Sequence, residues 1–195
     1  MVLFAHGSGS SRHSPRNRFV AGVLYRAGLG TLLLGLLTPE EELNRANVFD
    51  VVLLATRLTA VTRWLGSRPD TASCSVGYFG ASTGAGAALC AAADAAAQTA
   101  AVVSRGGRPD LARPLLAHVR APTLLIVGSA DEAVLKLNHR AQAQLRCPSQ
   151  LAVVEGATHL FEEPGTLAEA AILASDWFAH YLLPTDAQRA TGAVR

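Results

Sequence analysis

The segment Gly80-Ala81-Ser82-Thr83-Gly84 sets a serine between two glycines, after an apolar run that reads as a strand and before a small-residue stretch that reads as a helix. A strand-to-helix turn this sharp strains the serine backbone and projects its hydroxyl. The glycines let strand and helix approach without a Cβ clash. The next backbone N–H, that of Thr83, then faces an oxyanion developing at the helix N-terminus. The chemistry of such a turn is acyl transfer, and a serine hydroxyl performs it only when a base takes its proton. His159, in Gly156-Ala157-Thr158-His159-Leu160-Phe161, alone among six histidines follows the serine on a loop just past a strand. His118, His139 and His180 fall in expected helices and read as surface or packing residues, and His6 shapes the first glycine loop. An imidazole base needs an acid to hold its tautomer. Asp131, in Gly128-Ser129-Ala130-Asp131, supplies one, with a helix N-cap as its other reading. Asp110 is the alternative acid, although Arg108-Pro109-Asp110-Leu111 looks more like a cap, and Glu132 and Glu155 are weaker candidates.

A second oxyanion donor is expected from the loop after the first apolar run, His6-Gly7-Ser8-Gly9-Ser10, with the N–H of Ser8 facing the pocket. Such a loop can also cradle phosphate. It lacks the Gly-x-Gly-x-x-Gly spacing, however, and Gly-Lys-Ser/Thr occurs nowhere in the chain.

The elements that must hold these residues alternate along the chain. Apolar runs at Val2–Ala5, Thr31–Leu37, Ser73–Phe79, Ala100–Ser104, Thr123–Val127 and Gln150–Val154 read as six strands. Between them lie helical stretches at 15–28, Val48–Leu65, Thr83–Gln98, near 111–118 with Asp110 as its cap, near 133–145, and finally about 166–181. The strands are apolar on both faces, as in a parallel sheet covered by helices on each side. The fold class is therefore α/β, a three-layer sandwich, whose chemistry gathers at the carboxyl ends of the strands.

Composition bounds the rest. The 195 residues fit one domain spanning 1–195, half of them apolar, with 16% charged and a net charge of +2. So small a charge argues against nucleic acid. No apolar run reaches the length of a membrane span, and no secretion signal is visible. Cys74, Cys90 and Cys147 are too few and too scattered for a disulfide framework, which suits a reducing cytoplasm. No His/Cys cluster has metal-binding spacing, so neither metal nor organic cofactor is expected. Sixteen of the 17 basic residues are Arg, and alanine is abundant, a bias typical of GC-rich bacterial genomes.

Three segments carry a family resemblance: Phe4-Ala5-His6-Gly7-Ser8-Gly9-Ser10-Ser11-Arg12-His13-Ser14-Pro15-Arg16-Asn17, Gly77-Tyr78-Phe79-Gly80-Ala81-Ser82-Thr83-Gly84, and Gly156-Ala157-Thr158-His159-Leu160-Phe161. Together they resemble the α/β-hydrolase superfamily, and within it the small dienelactone-hydrolase-like bacterial hydrolases. The resemblance covers nearly the whole chain. It implies a parallel-dominated sheet, a triad of Ser82, His159 and Asp131, and hydrolysis of an ester or lactone. Related sequences also occur fused to phosphoribosyltransferase domains. Dienelactone hydrolases proper carry cysteine where Ser82 stands, which favours a general esterase.

By the superfamily's order the chain starts at its third strand, without the usual antiparallel hairpin. Thr31–Leu37 is then a sheet edge, an aggregation hazard if bare. It is expected to be covered by a symmetric second copy, as a homodimer, or by the chain's own ends. The stretch from Arg105 to Pro122 is too short for a lid, so the pocket is expected to be open and suited to small esters. Tyr78 and Phe161 are candidates for its apolar wall, with the core as the equal alternative for each. Arg12, with His13, Arg16 and Arg18, is a candidate for attracting an anionic substrate, although such a run is more often a solvated helix start. The alternatives are a thioesterase or peptidase variant, and a non-catalytic binding domain on the same fold.

Overall fold

The structure is a computed structural model and describes residues 1–184. Six strands, β1 (Val2–Ala5), β2 (Thr31–Leu33), β3 (Gly77–Ala81), β4 (Ala101–Arg105), β5 (Thr123–Gly128) and β6 (Ser149–Val154), form one sheet in the order β2-β1-β3-β4-β5-β6. Every pairing is parallel. The register brings Ala5 opposite Gly80, Ala81 opposite Arg105, and Gly128 opposite Val154. The strand ends that lead into the candidate loops are thereby set side by side.

Helices α1 (Pro15–Arg26) and α7 (Thr166–Leu182) cover one face. Helices α4 (Val51–Gly66) and α5 (Thr83–Ala92) cover the other, with a 3-10 helical stretch at Pro109–His118. Short helices α2 (Pro39–Glu42) and α3 (Arg45–Phe49) bridge β2 to α4, and α6 (Glu132–Gln142) lies between β5 and β6. The all-apolar strands follow from this double cover. Val2, Phe4, Phe79, Ala101 and Val103 face α1 and α7, while Leu3, Ala5, Tyr78 and Val102 face α4 and α5.

Several element boundaries differ from the sequence reading, each for a local reason. The helix expected at Val48–Leu65 is broken at Asp50, whose carboxylate accepts from the N–H groups of Val52 and Leu53 at 3.0 and 2.9 Å and so starts α4 afresh. The third strand begins at Gly77, because Ala72 and Cys74 close turn bonds back to Arg68 and Thr71. Helix α5 stops at Ala92, since Asp94 accepts from Ala96 N–H and starts a 3-10 turn at Ala95–Ala97. Asp110 does not cap the 109–118 stretch; it forms a two-point ion pair with Arg108.

The apolar run Thr31–Leu37 is a strand only as far as Leu33. Leu36 and Leu37 turn inward and are buried against the α4/α5 side. The edge in need of cover is thus three residues long. Cover by the last eleven residues falls outside the described part of the chain. Among the described residues no helix is long and apolar enough to cross a membrane.

Candidate active site

The turn after β3 has the expected strain. Ser82 sits at φ 51° and ψ −122°, a region that costs a non-glycine residue free energy unless its surroundings impose it. Two glycines impose it here. A Cβ on Gly80 would overlap Ala85 Cα, and one on Gly84 would overlap the carbonyl oxygen of Ala5. Helix α5 can start this close to the sheet only because Thr83-Gly84-Ala85-Gly86-Ala87-Ala88 is made of small residues, all buried. Ser82 is fixed further by its own N–H, which donates to Arg105 O at 3.3 Å, and by its carbonyl, which accepts from Ala85 and Arg108 N–H groups.

His159 reaches this serine from the loop after β6. Its Nε2 is 3.3 Å from Ser82 Oγ, and its Nδ1 is 2.6 Å from Asp131 Oδ2. With the ring proton on Nδ1 donated to the carboxylate, Nε2 is left to accept from the serine hydroxyl. Asp131 stands at the N-cap position of α6 but makes no capping bond; its carboxylate is turned toward His159 and only 13% exposed. The loop bearing His159 is tied down at several points. Thr158 donates twice to Glu163, bonds that hold this carboxyl below its usual range. Gly156 N–H donates to Ser129 Oγ, and Ala157 packs so closely on Gly128 that a Cβ there would overlap its carbonyl. The other acids are engaged elsewhere: Asp110 with Arg108, Glu132 with Lys136, Glu155 with Ser129.

The N–H of Thr83 is the first of α5, directly after Ser82, with no hydrogen-bond partner among the described residues. Ser8 differs from expectation: its N–H donates to Thr83 Oγ1 at 2.8 Å, which staples the β1 loop to the serine turn instead of leaving that donor free. Gly7 runs directly against Ala81 O and Ser82 Cβ.

Three of the expected substrate contacts are elsewhere. Tyr78 is fully buried on the α4 side, its hydroxyl 2.7 Å from Thr62 Oγ1, and burial pushes its phenol up. Phe161 is 2% exposed and belongs to the core beneath α1 and α7. Arg12 is exposed and lines a groove with Arg18, Tyr25, Thr31 and Leu33 beside β2, away from the serine. Its neighbours His13 and Arg16 do line the main cleft.

That cleft has a volume of about 520 Å³ and starts at His6-Gly7-Ser8, the loop in contact with Ser82. Leu37, Val48 and Leu54 form an apolar wall, with Glu42 beside them. None of these four was singled out by the sequence reading. Glu42 and Val48 come from the short helices after β2, Leu37 from the turn before them and Leu54 from the start of α4; the caps at Asn44 and Asp50 are the signal in the sequence for these helix starts. Arg105 was missed as well. It is a buried cation at the end of β4, between the serine turn and the histidine loop. Among the described residues no group of His, Cys, Asp and Glu could hold a metal ion.

The structure of a dienelactone hydrolase from Anabaena variabilis is similar along almost its whole length. It is 60% identical, with a TM-score of 0.90, over 93% of this chain and 86% of that one. The chain belongs to the α/β-hydrolase superfamily, among the dienelactone-hydrolase-like proteins. Est1E from Butyrivibrio proteoclasticus, at 15% identity and a TM-score of 0.76 over 92% of this chain and 87% of its own, shares the fold. Two Mycobacterium tuberculosis proteins, from strains CDC 1551 and H37Rv, are 68% identical over 182 residues and each bears the name "Putative phosphoribosyl transferase". This dienelactone-hydrolase-like chain spans 41% of their length. No protein-family model matches it.

Proposed function

We propose that the chain is a serine hydrolase that cleaves small carboxylic esters or lactones through an acyl-enzyme. The observation that carries this reading is the unbroken series Ser82 Oγ, His159 Nε2, His159 Nδ1, Asp131 Oδ2, with steps of 3.3 and 2.6 Å, at the strained turn before α5. Ser82 Oγ attacks the ester carbonyl and its proton passes to His159 Nε2. Asp131 holds the ring and stabilises the imidazolium, and the N–H of Thr83 donates to the oxyanion. Collapse of the tetrahedral intermediate expels the alcohol, which takes the proton from His159. A water molecule then attacks the acyl-enzyme, giving its proton to the same nitrogen, and the acid leaves as Ser82 is restored.

The cleft supports a substrate with an apolar portion laid along Leu37, Val48 and Leu54. The Anabaena protein's description as a dienelactone hydrolase favours carboxylic esters and lactones over other acyl compounds. We assign the phosphoribosyl transferase description of the two longer relatives to the part of their length that this chain does not share. Three cysteines without a disulfide fit a reducing compartment such as the cytoplasm.

The decisive measurement is labelling with a fluorophosphonate probe alongside hydrolysis of short p-nitrophenyl esters. Wild-type protein is expected to label and turn over. Ser82→Ala is expected to lose both, with turnover falling by at least about 10³-fold. Labelling that persists in Ser82→Ala removes the serine from this role. A wild-type chain that neither labels nor hydrolyses favours the non-catalytic alternative.

A further inference from the structure

Arg105 ends the fully buried strand β4 and is only 6% exposed. Its guanidinium lies over the ring of Phe79 at 5.9 Å and over that of Phe161 at 5.7 Å. Its Nε and Nη1 are buried without a hydrogen-bond partner, and no carboxylate pairs with it among the described residues. Burial and the nearby charge of Arg16 push the guanidinium down to about 10. A cation held this way costs stability, because two aromatic faces replace only part of the water it gave up.

The position of Arg105 shows what such a cation can do. Its carbonyl accepts the Ser82 N–H. The residue after it, Gly106, has φ +51°, and a Cβ there would press on His159 O at 3.1 Å and lie 3.7 Å from His159 Cε1. Phe161, two residues beyond His159, holds φ +56° despite its bulk, a conformation that needs outside support. Its ring is supported by the Arg105 guanidinium. One residue therefore touches the serine turn through its main chain and the histidine loop through its side chain.

We propose that Arg105 is a positioning residue, whose guanidinium, clamped between Phe79 and Phe161, holds the His159 loop at the distance from Ser82 that proton transfer needs. The inference rests on the serine-hydrolase reading for its kinetic effect, but the clamp itself is a statement about the loop and can be tested without turnover.

The test compares Arg105→Met and Arg105→Lys with wild type. Arg105→Met keeps the apolar length and removes the charge. It is expected to melt at or above the wild-type temperature, with kcat lowered about 10- to 100-fold, the size of effect that misplacing a catalytic group produces. KM is expected to be unchanged. Amide exchange at Ala157 and Phe161 should accelerate while β3 and β4 stay protected. Arg105→Lys, which keeps the charge, should recover part of the lost kcat. The proposal is overturned if Arg105→Met retains wild-type kcat and loop protection, or if Lys is no better than Met. A rise in KM confined to anionic esters, at unchanged kcat, overturns it in favour of a substrate contact. If Arg105→Met does not fold, Phe161→Leu breaks the clamp from the other side and must show the same loss of kcat and loop protection. If Ser82→Ala shows that the hydrolase reading fails, the exchange measurement still decides the clamp.

Discussion

The two faces of the sheet hold Ser82 and His159, the proposed nucleophile and base, by different means. On the α4/α5 side the serine turn is fixed by exclusion: Gly80 and Gly84 bring backbone against backbone, and a helix of alanine and glycine packs behind them. On the α1/α7 side the histidine loop is fixed by large groups, with Phe4, Phe79, Phe161 and Phe178 buried and Arg105 among them. The nucleophile needs one backbone shape, which steric walls define well. The proposed base needs an aim and a distance, which large rings and hydrogen bonds to Asp131 and Glu163 define while leaving the His159 side chain 38% exposed.

If the α4/α5 side works by exclusion, the largest effect there comes from the smallest added group. Gly84→Ala puts a methyl on the carbonyl of Ala5 and is expected to destabilise the fold by about 3 kcal/mol, the top of the usual range for overpacking. Denaturant midpoints measure this, and a wild-type midpoint would mean that the turn has slack it does not show. Tyr78→Phe probes the same side more gently. It removes one hydroxyl contact with Thr62, which still donates to Leu58 O, so the expected loss is about 1 kcal/mol with kcat and KM unchanged. A changed KM would return Tyr78 to the substrate wall.

The smallest effect belongs to the local ion pair at the start of the 3-10 stretch, Arg108 with Asp110. The guanidinium of Arg108, hydrogen-bonded at two points, holds the Asp110 carboxyl below its ordinary value. A carboxyl depressed in the folded state contributes stability that is full above the unfolded value, near 3.8, and is lost as pH falls through the lower folded one. Arg108→Ala should therefore cost at most about 1 kcal/mol at neutral pH, since the pair is partly exposed. The gap from wild type should close in acid. Melting curves from pH 7 to pH 2 check the sign; a gap that widens in acid contradicts it.

Much of the α4/α5 side was legible because its signals are local. Gly80 through Gly84 is five consecutive residues, and the alanines behind it follow at once in the chain. The pairing of Ser82 with His159 and Asp131 was also readable, because strand order puts all three at one end of a parallel sheet. The α1/α7 side was less so. Arg105 reads as a surface charge until Phe161, 56 positions later, closes over it. Its strand parity with Ala101 and Val103 was the available clue. For Tyr78 and Phe161 the sequence leaves wall and core open for a related reason: proximity in sequence to Ser82 or His159 does not say which face of the sheet a side chain joins, and the structure puts both in the core. Ser8 was misread because a hydroxyl across the loop, Thr83 Oγ1, took its N–H.

The place of β6 at the sheet edge carries a last consequence. Among the described residues it pairs with β5 alone and only Val154 in it is fully buried, whereas β3 is buried along its whole length. Edge strands open at a smaller free energy than central ones in native-state exchange. An opening confined to β6 carries off the His159 loop and leaves Ser82 in its turn, its hydroxyl without the imidazole partner. On the hydrolase reading proposed above, activity is thus the first property to vanish under mild denaturant, before the bulk of the secondary structure, and inactivation reports the fraying of one strand.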